Sequence, residues 1–361
     1  MNKRVLILAN NSDGLYGFRR ELIARLAQEN EVFASVPDGG FFEQLQALGC
    51  TVIETPIDRR GINPVTDGKL LLRYIKLLRQ VKPDLVITYT IKPNVYGGMA
   101  CRLLGIPYAA NITGLGTAFQ KEGALRQLVT VLYRMALKKA KVVFFENAAN
   151  RDTLVGEKIV AAEKCRVLMG AGVNLAHYAP AAYPVEKTVR FLFIGRVMRE
   201  KGVEELFSAM KRLRSEGYDC VLDVVGDFEE DYASAIRAHE AAGWLRYHGY
   251  QKDVRPFIAQ SHCFVLPSYH EGMANTNLEC AAMARPLITS DIPGCREAVE
   301  EGVSGLLCAV QDAESLYTEM KRFLVLTAEE RSEMGRAGRR RMEAAFDKEK
   351  VVDATVEGLG V

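Results

Sequence analysis

The chain has 361 residues, 48% hydrophobic and 25% charged, the balance of an ordinary globular protein and not of a disordered one. That length argues two domains, because a single hydrophobic core stops growing near ~250–300 residues. Lys+Arg is 47 against 45 Asp+Glu, a net charge of +2, which argues against a general nucleic-acid binder. The total hides an asymmetry: residues 1–180 carry 24 Lys/Arg against 15 Asp/Glu, a net of +9, and residues 181–361 carry 23 against 30, a net of −7.

No apolar run approaches the ~20 residues that a membrane-spanning helix needs. Val5–Ala9, after Lys3-Arg4, is too short for the core of a signal peptide. The eight cysteines are never closer than thirteen residues, which excludes C-x-x-C metal or redox pairs and suits reduced core thiols of a cytosolic protein. Five scattered histidines offer no paired-ligand spacing, so no metal site is expected.

In chain order, Val5–Ala9, Val32–Ser35, Thr51–Glu54, Leu85–Thr88, Tyr108–Asn111 and Val142–Glu146 predict buried strands. Helical patterns fill the gaps, notably Leu70–Val81, Val95–Leu104 and Ala124–Lys139. After the proline-containing stretch His177–Pro184 a second series follows: Arg190–Ile194, Val221–Val225, Leu245–His248, Cys263–Leu266, Leu287–Ser290 and Gly305–Leu307. Strands alternating with helices imply right-handed βαβ units and parallel sheets. The expected α/β architecture is two Rossmann-like doubly wound domains facing a cleft, with ligands at the strand C-terminal ends. Their expected bounds are residues 1–178 and 188–361, joined by a linker at 179–187, with the last helix free to return to the first domain.

Two segments at such strand ends carry chemistry. Gly195-Arg196, five residues before Lys201-Gly202, spans a strand-to-helix loop whose two cations and helix N-terminus suit a diphosphate. The bland alternative is a solvated loop salt-bridged to Glu200 and Glu204. The second segment runs from Ser268 to Glu279 and is expected to open a helix reaching Met283. Gly272 lets the backbone N–H groups at the helix start approach an anion closely. Read as two helical turns, the spacing of Glu271 and Glu279 puts both carboxylates on one side, roughly 12 Å apart. Each carboxylate is suited to a pair of vicinal hydroxyls.

The pairing of G-R-x4-K-G with E-G-x6-E, in the second of two α/β domains, resembles glycosyltransferase family 4, retaining enzymes of the GT-B fold. The likeness extends over nearly the whole chain: Gly170-Ala171-Gly172-Val173-Asn174, Val225-Gly226-Asp227 and Leu266–Gly272 match family segments, as do Ser290–Val299, Tyr16-x-Phe18-Arg19 and Thr113-Gly114-Leu115-Gly116. Within the family the pattern is most similar to bacterial enzymes that extend undecaprenyl-diphosphate-linked sugars, N-acetylgalactosaminyltransferases among them. The resemblance implies that Arg196 and Lys201 hold the donor diphosphate, Glu271 the transferred sugar and Glu279 the ribose. Gly195, Gly272, Met273, Ala274, Asn275 and Leu278 complete the donor site. It implies same-face attack with the leaving phosphate taking the acceptor's proton, and neither metal nor other cofactor. Met273-Ala274 stands where the family often has a small residue or proline. Ile91-Lys92-Pro93-Asn94 lacks the histidine that many relatives carry in that loop, so Lys92 and Asn94 are polar substitutes or Lys92 simply faces solvent.

In the first domain the loop Asn11–Arg20, with Gly14, Gly17 and Arg19, is expected to admit an acceptor or donor phosphate, unless its glycines only shape a turn. It is not G-x-G-x-x-G, which speaks against a dinucleotide dehydrogenase. The bases Arg73, Lys76, Arg79 and Lys82 on one helix, and Arg126, Arg134, Lys138, Lys139 and Lys141 on another, fit either solvated faces or contact with an anionic membrane. The expectation is a cytoplasmic enzyme, peripheral on the inner face of the cell membrane. It would move a hexose or N-acetylhexosamine from a nucleotide diphosphate, UDP by preference, to a polyprenyl-diphosphate-linked saccharide. The alternatives are a UDP-sugar 2-epimerase, for which no carboxylate–histidine set is evident, and a non-catalytic sugar-nucleotide binder.

Overall fold

The computed structural model describes residues 2–58, 63–116, 119 and 123–361. They form two compact units, Met1–Ala171 with Lys348–Val361, and Gly172–Asp347.

The first unit holds seven strands: β1 (Arg4–Leu8), β2 (Glu31–Val36), β3 (Cys50–Glu54), β4 (Leu85–Tyr89), β5 (Tyr108–Ile112), β6 (Val142–Phe145) and β7 (Cys165–Val167). They pair in parallel in the order β3-β2-β1-β4-β5-β6-β7. Because strand side chains alternate, Leu6, Leu8 and Phe145 build the core on one face, while Val5, Ile7 and Phe144 build that on the other. With both faces covered, the strands read as unbroken apolar runs. β7 escaped the sequence reading because its three residues, with Arg166 exposed, are too short to show a period. The expected helix Val95–Leu104 is a π turn, Pro93–Gly97, continued by the α-helix Gly98–Leu104.

The second unit holds six strands: β8 (Val189–Ile194), β9 (Cys220–Val225), β10 (Leu245–Tyr247), β11 (Cys263–Leu266), β12 (Leu287–Ser290) and β13 (Gly305–Cys308). Their order is β10-β9-β8-β11-β12-β13, again parallel. In each sheet the order reverses beside the first strand, at β1/β4 and β8/β11, the switch point where α/β sheets bind ligands.

The units divide at 171/172, not at 178/179, and the expected linker 179–187 is packed into the second unit. Arg285, fully buried, donates to the carbonyls of Ala181 (3.1 Å), Ala182 (2.7 Å), Ile258 (3.0 Å) and Ala259 (2.8 Å), and Tyr183 donates to His262 O (3.0 Å). The prolines do keep the segment irregular; a cation a hundred residues away holds it. The end of the chain leaves the expected second domain: the helix Lys348–Leu359 packs Val351, Val352 and Leu359 into the first unit's core, and Lys348 Nζ donates to Phe18 O at 3.1 Å.

All eight cysteines are buried free thiols. Among the described residues no helix is long and apolar enough to cross a membrane.

Candidate functional site

In the second unit the candidate residues gather on the loops that leave β8, β11 and β12. After β8, Gly195 N–H donates to Val225 O (3.0 Å), and a single 3₁₀ turn, Arg199–Lys201, precedes the helix Val203–Ser215. Gly202 has φ +73°, and a Cβ there would lie 2.1 Å from Pro267 O, so the Lys201 turn sits directly on the exit of β11. A Cβ on Gly294, φ +87°, would lie 2.7 Å from Gly272 O and 2.8 Å from Glu271 O, and Ala274 N–H donates to Gly294 O at 2.8 Å. Three loops are thus joined backbone to backbone, which glycine alone permits.

On that frame Lys201 Nζ is hydrogen-bonded to Glu271 Oε1, and the two side chains are only 20% and 13% exposed. Arg196 is 54% exposed, its guanidinium 3.4 Å from Glu229. Glu204 does bridge the loop at Arg199 (3.7 Å), and Glu200 meets His270 (3.6 Å), but the ion pairs of Arg196 and Lys201 are with Glu229 and Glu271. Tyr269 binds the two loops further, donating its N–H to Glu200 O (2.9 Å) and its hydroxyl to Glu205 (2.8 Å). Burial, then Glu205, pushes the Tyr269 hydroxyl up to about 12.

The two-turn geometry expected for Glu271 and Glu279 does not hold. The helix is Asn275–Ala282, so Glu271 lies in the loop before it and only Glu279, half-buried, is helical. Met273-Ala274 ends the loop in an extended turn, because both side chains anchor in the core together with Leu278. Those three residues can meet a ligand only through their backbones. Ser268, the first residue of the segment that runs to Glu279, carries a buried Oγ that, like Asn275 Oδ1, has no hydrogen-bond partner among the described residues.

In the first unit the expected glycine loop is helical: Ser12–Ala27 is one helix, begun after Asn11, and contains Gly14 and Gly17. A Cβ on Gly14 would meet the Asn11 side chain at 2.8 Å, and one on Gly17 would meet nothing, so neither glycine makes a phosphate-binding turn. Arg19 is buried, donates to Glu146 Oε1 at 2.6 Å and lies 4.9 Å from the Tyr89 ring centroid. Nor do Lys92 and Asn94 stand in for the absent histidine: Lys92 is held by Asp67 (2.8 Å), and Asn94 is buried between Thr88 (2.6 Å) and Asn111 O (2.8 Å).

The helix Ala124–Leu137 leaves Leu125, Leu128, Val131 and Met135 exposed, with Lys138 and Lys139 exposed just beyond it. Arg126 is not part of that face; it pairs with Glu157 and lies over Phe119. No group of three metal-ligating side chains occurs among the described residues. The cationic pair of the second unit suits a diphosphate, and the adjoining carboxylate suits hydroxyl donors.

Two family profiles match the chain: "Glycosyl transferase 4-like" over residues 4–147 and "Glycosyl transferases group 1" over residues 188–325. The N,N'-diacetylbacillosaminyl-diphospho-undecaprenol alpha-1,3-N-acetylgalactosaminyltransferase of Campylobacter jejuni is 28% identical over 87% of both chains. The UDP-Gal:alpha-D-GlcNAc-diphosphoundecaprenol alpha-1,3-galactosyltransferase of Escherichia coli is 28% identical over 73% of this chain and 72% of its own. Among solved structures, Anabaena HepE in complex with UDP and glucose superposes with a TM-score of 0.83 at 16% identity, covering 99% of this chain and 100% of that one. At that identity the likeness is one of fold.

Proposed function

We propose, since the chain belongs to the family-4 glycosyltransferases of the GT-B fold, that it moves a hexose or N-acetylhexosamine from a UDP-sugar to a lipid-diphosphate-linked saccharide with retention at the anomeric carbon. The observation that carries this reading is the Lys201–Glu271 pair, with Arg196 on the same loop, at the switch point of the second sheet. Arg196 and Lys201 would hold the donor diphosphate, Glu271 would accept hydrogen bonds from the sugar hydroxyls, and Glu279 from the ribose. The bond from the anomeric carbon to the diphosphate oxygen breaks, and the acceptor oxygen bonds to the same face. The acceptor's proton passes to the departing diphosphate. The protein's part is to stabilise charge that grows on that diphosphate, which fixed cations do without reorganising at the moment of reaction.

The acceptor class rests on the two relatives, whose names specify undecaprenyl-linked diphosphosugars. It is supported by the exposed apolar stripe Leu125, Leu128, Val131 and Met135, flanked by Lys138 and Lys139. Such a face lies on anionic lipid by burying its apolar side chains while its cations meet headgroups. The enzyme would work peripherally, at the inner face of the membrane.

The test is incubation with UDP-N-acetylgalactosamine, UDP-N-acetylglucosamine or UDP-galactose and an undecaprenyl-diphosphate-linked saccharide. Transfer is expected with one donor, giving an α-linked product, and Lys201→Ala should lower turnover by about 10²–10³-fold. Interconversion of free UDP-sugars would instead identify an epimerase, and tight binding without turnover a binding protein.

A further inference from the structure

Lys201 and Arg196 stand in different electrostatic states. Arg196 is half-exposed, with Glu229 at 3.4 Å, so its charge is screened by water and open to an arriving anion. Lys201 is mostly buried and already bound to Glu271, a contact made between loops 70 residues apart in sequence and held by the backbone contacts at Gly202 and Gly294. A diphosphate that engages Lys201 therefore competes with the Glu271 carboxylate for the same cation. The displaced carboxylate is left beside a second anion, largely out of water, and a buried carboxylate without donors is costly.

We propose that Glu271 is the counter-ion of Lys201 in the empty site and is exchanged for the diphosphate on donor binding, so that the pair selects a sugar-loaded nucleotide over a spent one. This rests on the donor site proposed above. A nucleotide sugar carries hydroxyls that can donate to the released carboxylate. A bare nucleoside diphosphate, whose ribose hydroxyls go to Glu279, brings none to Glu271, and inorganic diphosphate has none, so both meet the full cost of breaking the pair. Once the sugar has left, Glu271 loses its donors and returns to Lys201, which helps expel the product diphosphate. Glu271 thus acts as a specificity determinant through Lys201 as well as through the sugar.

The experiment is a calorimetric double-mutant cycle with UDP, inorganic diphosphate and the UDP-sugars above as probes, on the full chain and on Glu271→Gln, Lys201→Met and the double variant. In Glu271→Gln, UDP and diphosphate should bind about tenfold more tightly while the sugar donor gains nothing, so that the preference for the loaded nucleotide collapses. The gain should shrink several-fold in the Lys201→Met background, because no cation remains to be released. An equal gain in both backgrounds would show plain repulsion by Glu271 and overturn the exchange, as would weaker UDP binding in Glu271→Gln. If the unaltered chain transfers sugar but the cycle shows no coupling, only the exchange falls. If it binds no nucleotide, sugar donor or diphosphate, the donor site falls with it. Melting curves for each variant separate loss of binding from loss of fold, and Glu271→Asp, which keeps the charge, should restore the discrimination in part.

Discussion

The two units share one plan, a parallel sheet with its switch point beside the first strand, yet they carry opposite net charge and house their most buried cations differently. The first carries 26 Lys/Arg against 18 Asp/Glu, a net of +8, and the second 21 against 27, a net of −6. In the first, buried charge meets buried charge: Arg19 with Glu146, and Lys92 with Asp67. In the second, the most buried cation, Arg285, is satisfied by carbonyls alone, and burial pulls its guanidinium below the usual arginine range. All five histidines also lie in the second unit. The lesson is that the layered fold is set by apolar strand residues. Charge can then vary at strand ends and on outer helix faces, where function acts on it.

The sharpest break of this comparison uses the buried cations. Arg19→Met takes the cation away from a buried Glu146 and should cost about 3–5 kcal/mol, as removing one member of a buried pair does. Arg285→Met strands carbonyls but no opposite charge and should cost less, about 2–3 kcal/mol. Urea unfolding of both variants measures this; an equal or reversed order would mean that the carbonyl cage holds its cation as firmly as a carboxylate does.

A smaller effect should separate the outer faces. Replacing Lys138 and Lys139 by glutamine should weaken flotation with phosphatidylglycerol-containing vesicles by about 1 kcal/mol per cation, and Leu128→Ser with Met135→Ser should weaken it in neutral vesicles too. Neutralising Arg126, already paired with Glu157, should do little. Wild-type protein that stays with the soluble fraction at low salt would remove the membrane face altogether.

The smallest effect is a pH slope confined to the second unit. Burial lowers the pKa of His262 and of His239 from 6.5. His262 Nδ1 accepts the Arg190 N–H (3.1 Å), and its Nε2 faces Glu186 O (3.1 Å), so a proton on Nδ1 would oppose a donor. Since the unfolded chain takes up these protons first, the second unit should lose stability as pH falls below about 6.5. The first unit has no histidine and should not change over the same range. Hydrogen exchange followed separately in each unit at pH 7 and pH 5.5 reads the difference, and His262→Gln should flatten it. A first unit that loosens equally would place the acid sensitivity elsewhere.

How much was legible depends on how local each cause is. Twelve of the thirteen strands among the described residues could be read from their apolar runs, because a sheet covered on both faces leaves no polar alternation. That Gly195-Arg196, Lys201-Gly202 and Glu271-Gly272 follow strand ends was legible because each comes shortly after an apolar run and a tight strand exit needs glycine. The misreadings concern residues whose state is decided by distant partners. The glycines of Asn11–Arg20 suggested a loop, yet Leu15, Leu22, Ile23 and Leu26 bury against the sheet and with the returning C-terminal helix, and the helix extends through both glycines. The spacing of Glu271 and Glu279 suggested a helix face, but Met273 and Ala274 are drawn into the core and end that possibility.

By itself, then, the sequence determined two parallel α/β halves, their strand order of appearance, the charge asymmetry and which glycines, cations and carboxylates stand at the ends of β8 and β11. All of these follow from local patterns of apolar, glycine and charged residues. Tertiary structure alone decided that Lys201 faces Glu271 and not solvent, that Arg19 is committed to Glu146, and that residues 179–187 belong to the second unit. Each of those outcomes depends on which side chain, tens or hundreds of residues away, reaches a buried charge or carbonyl first, and no local pattern encodes that.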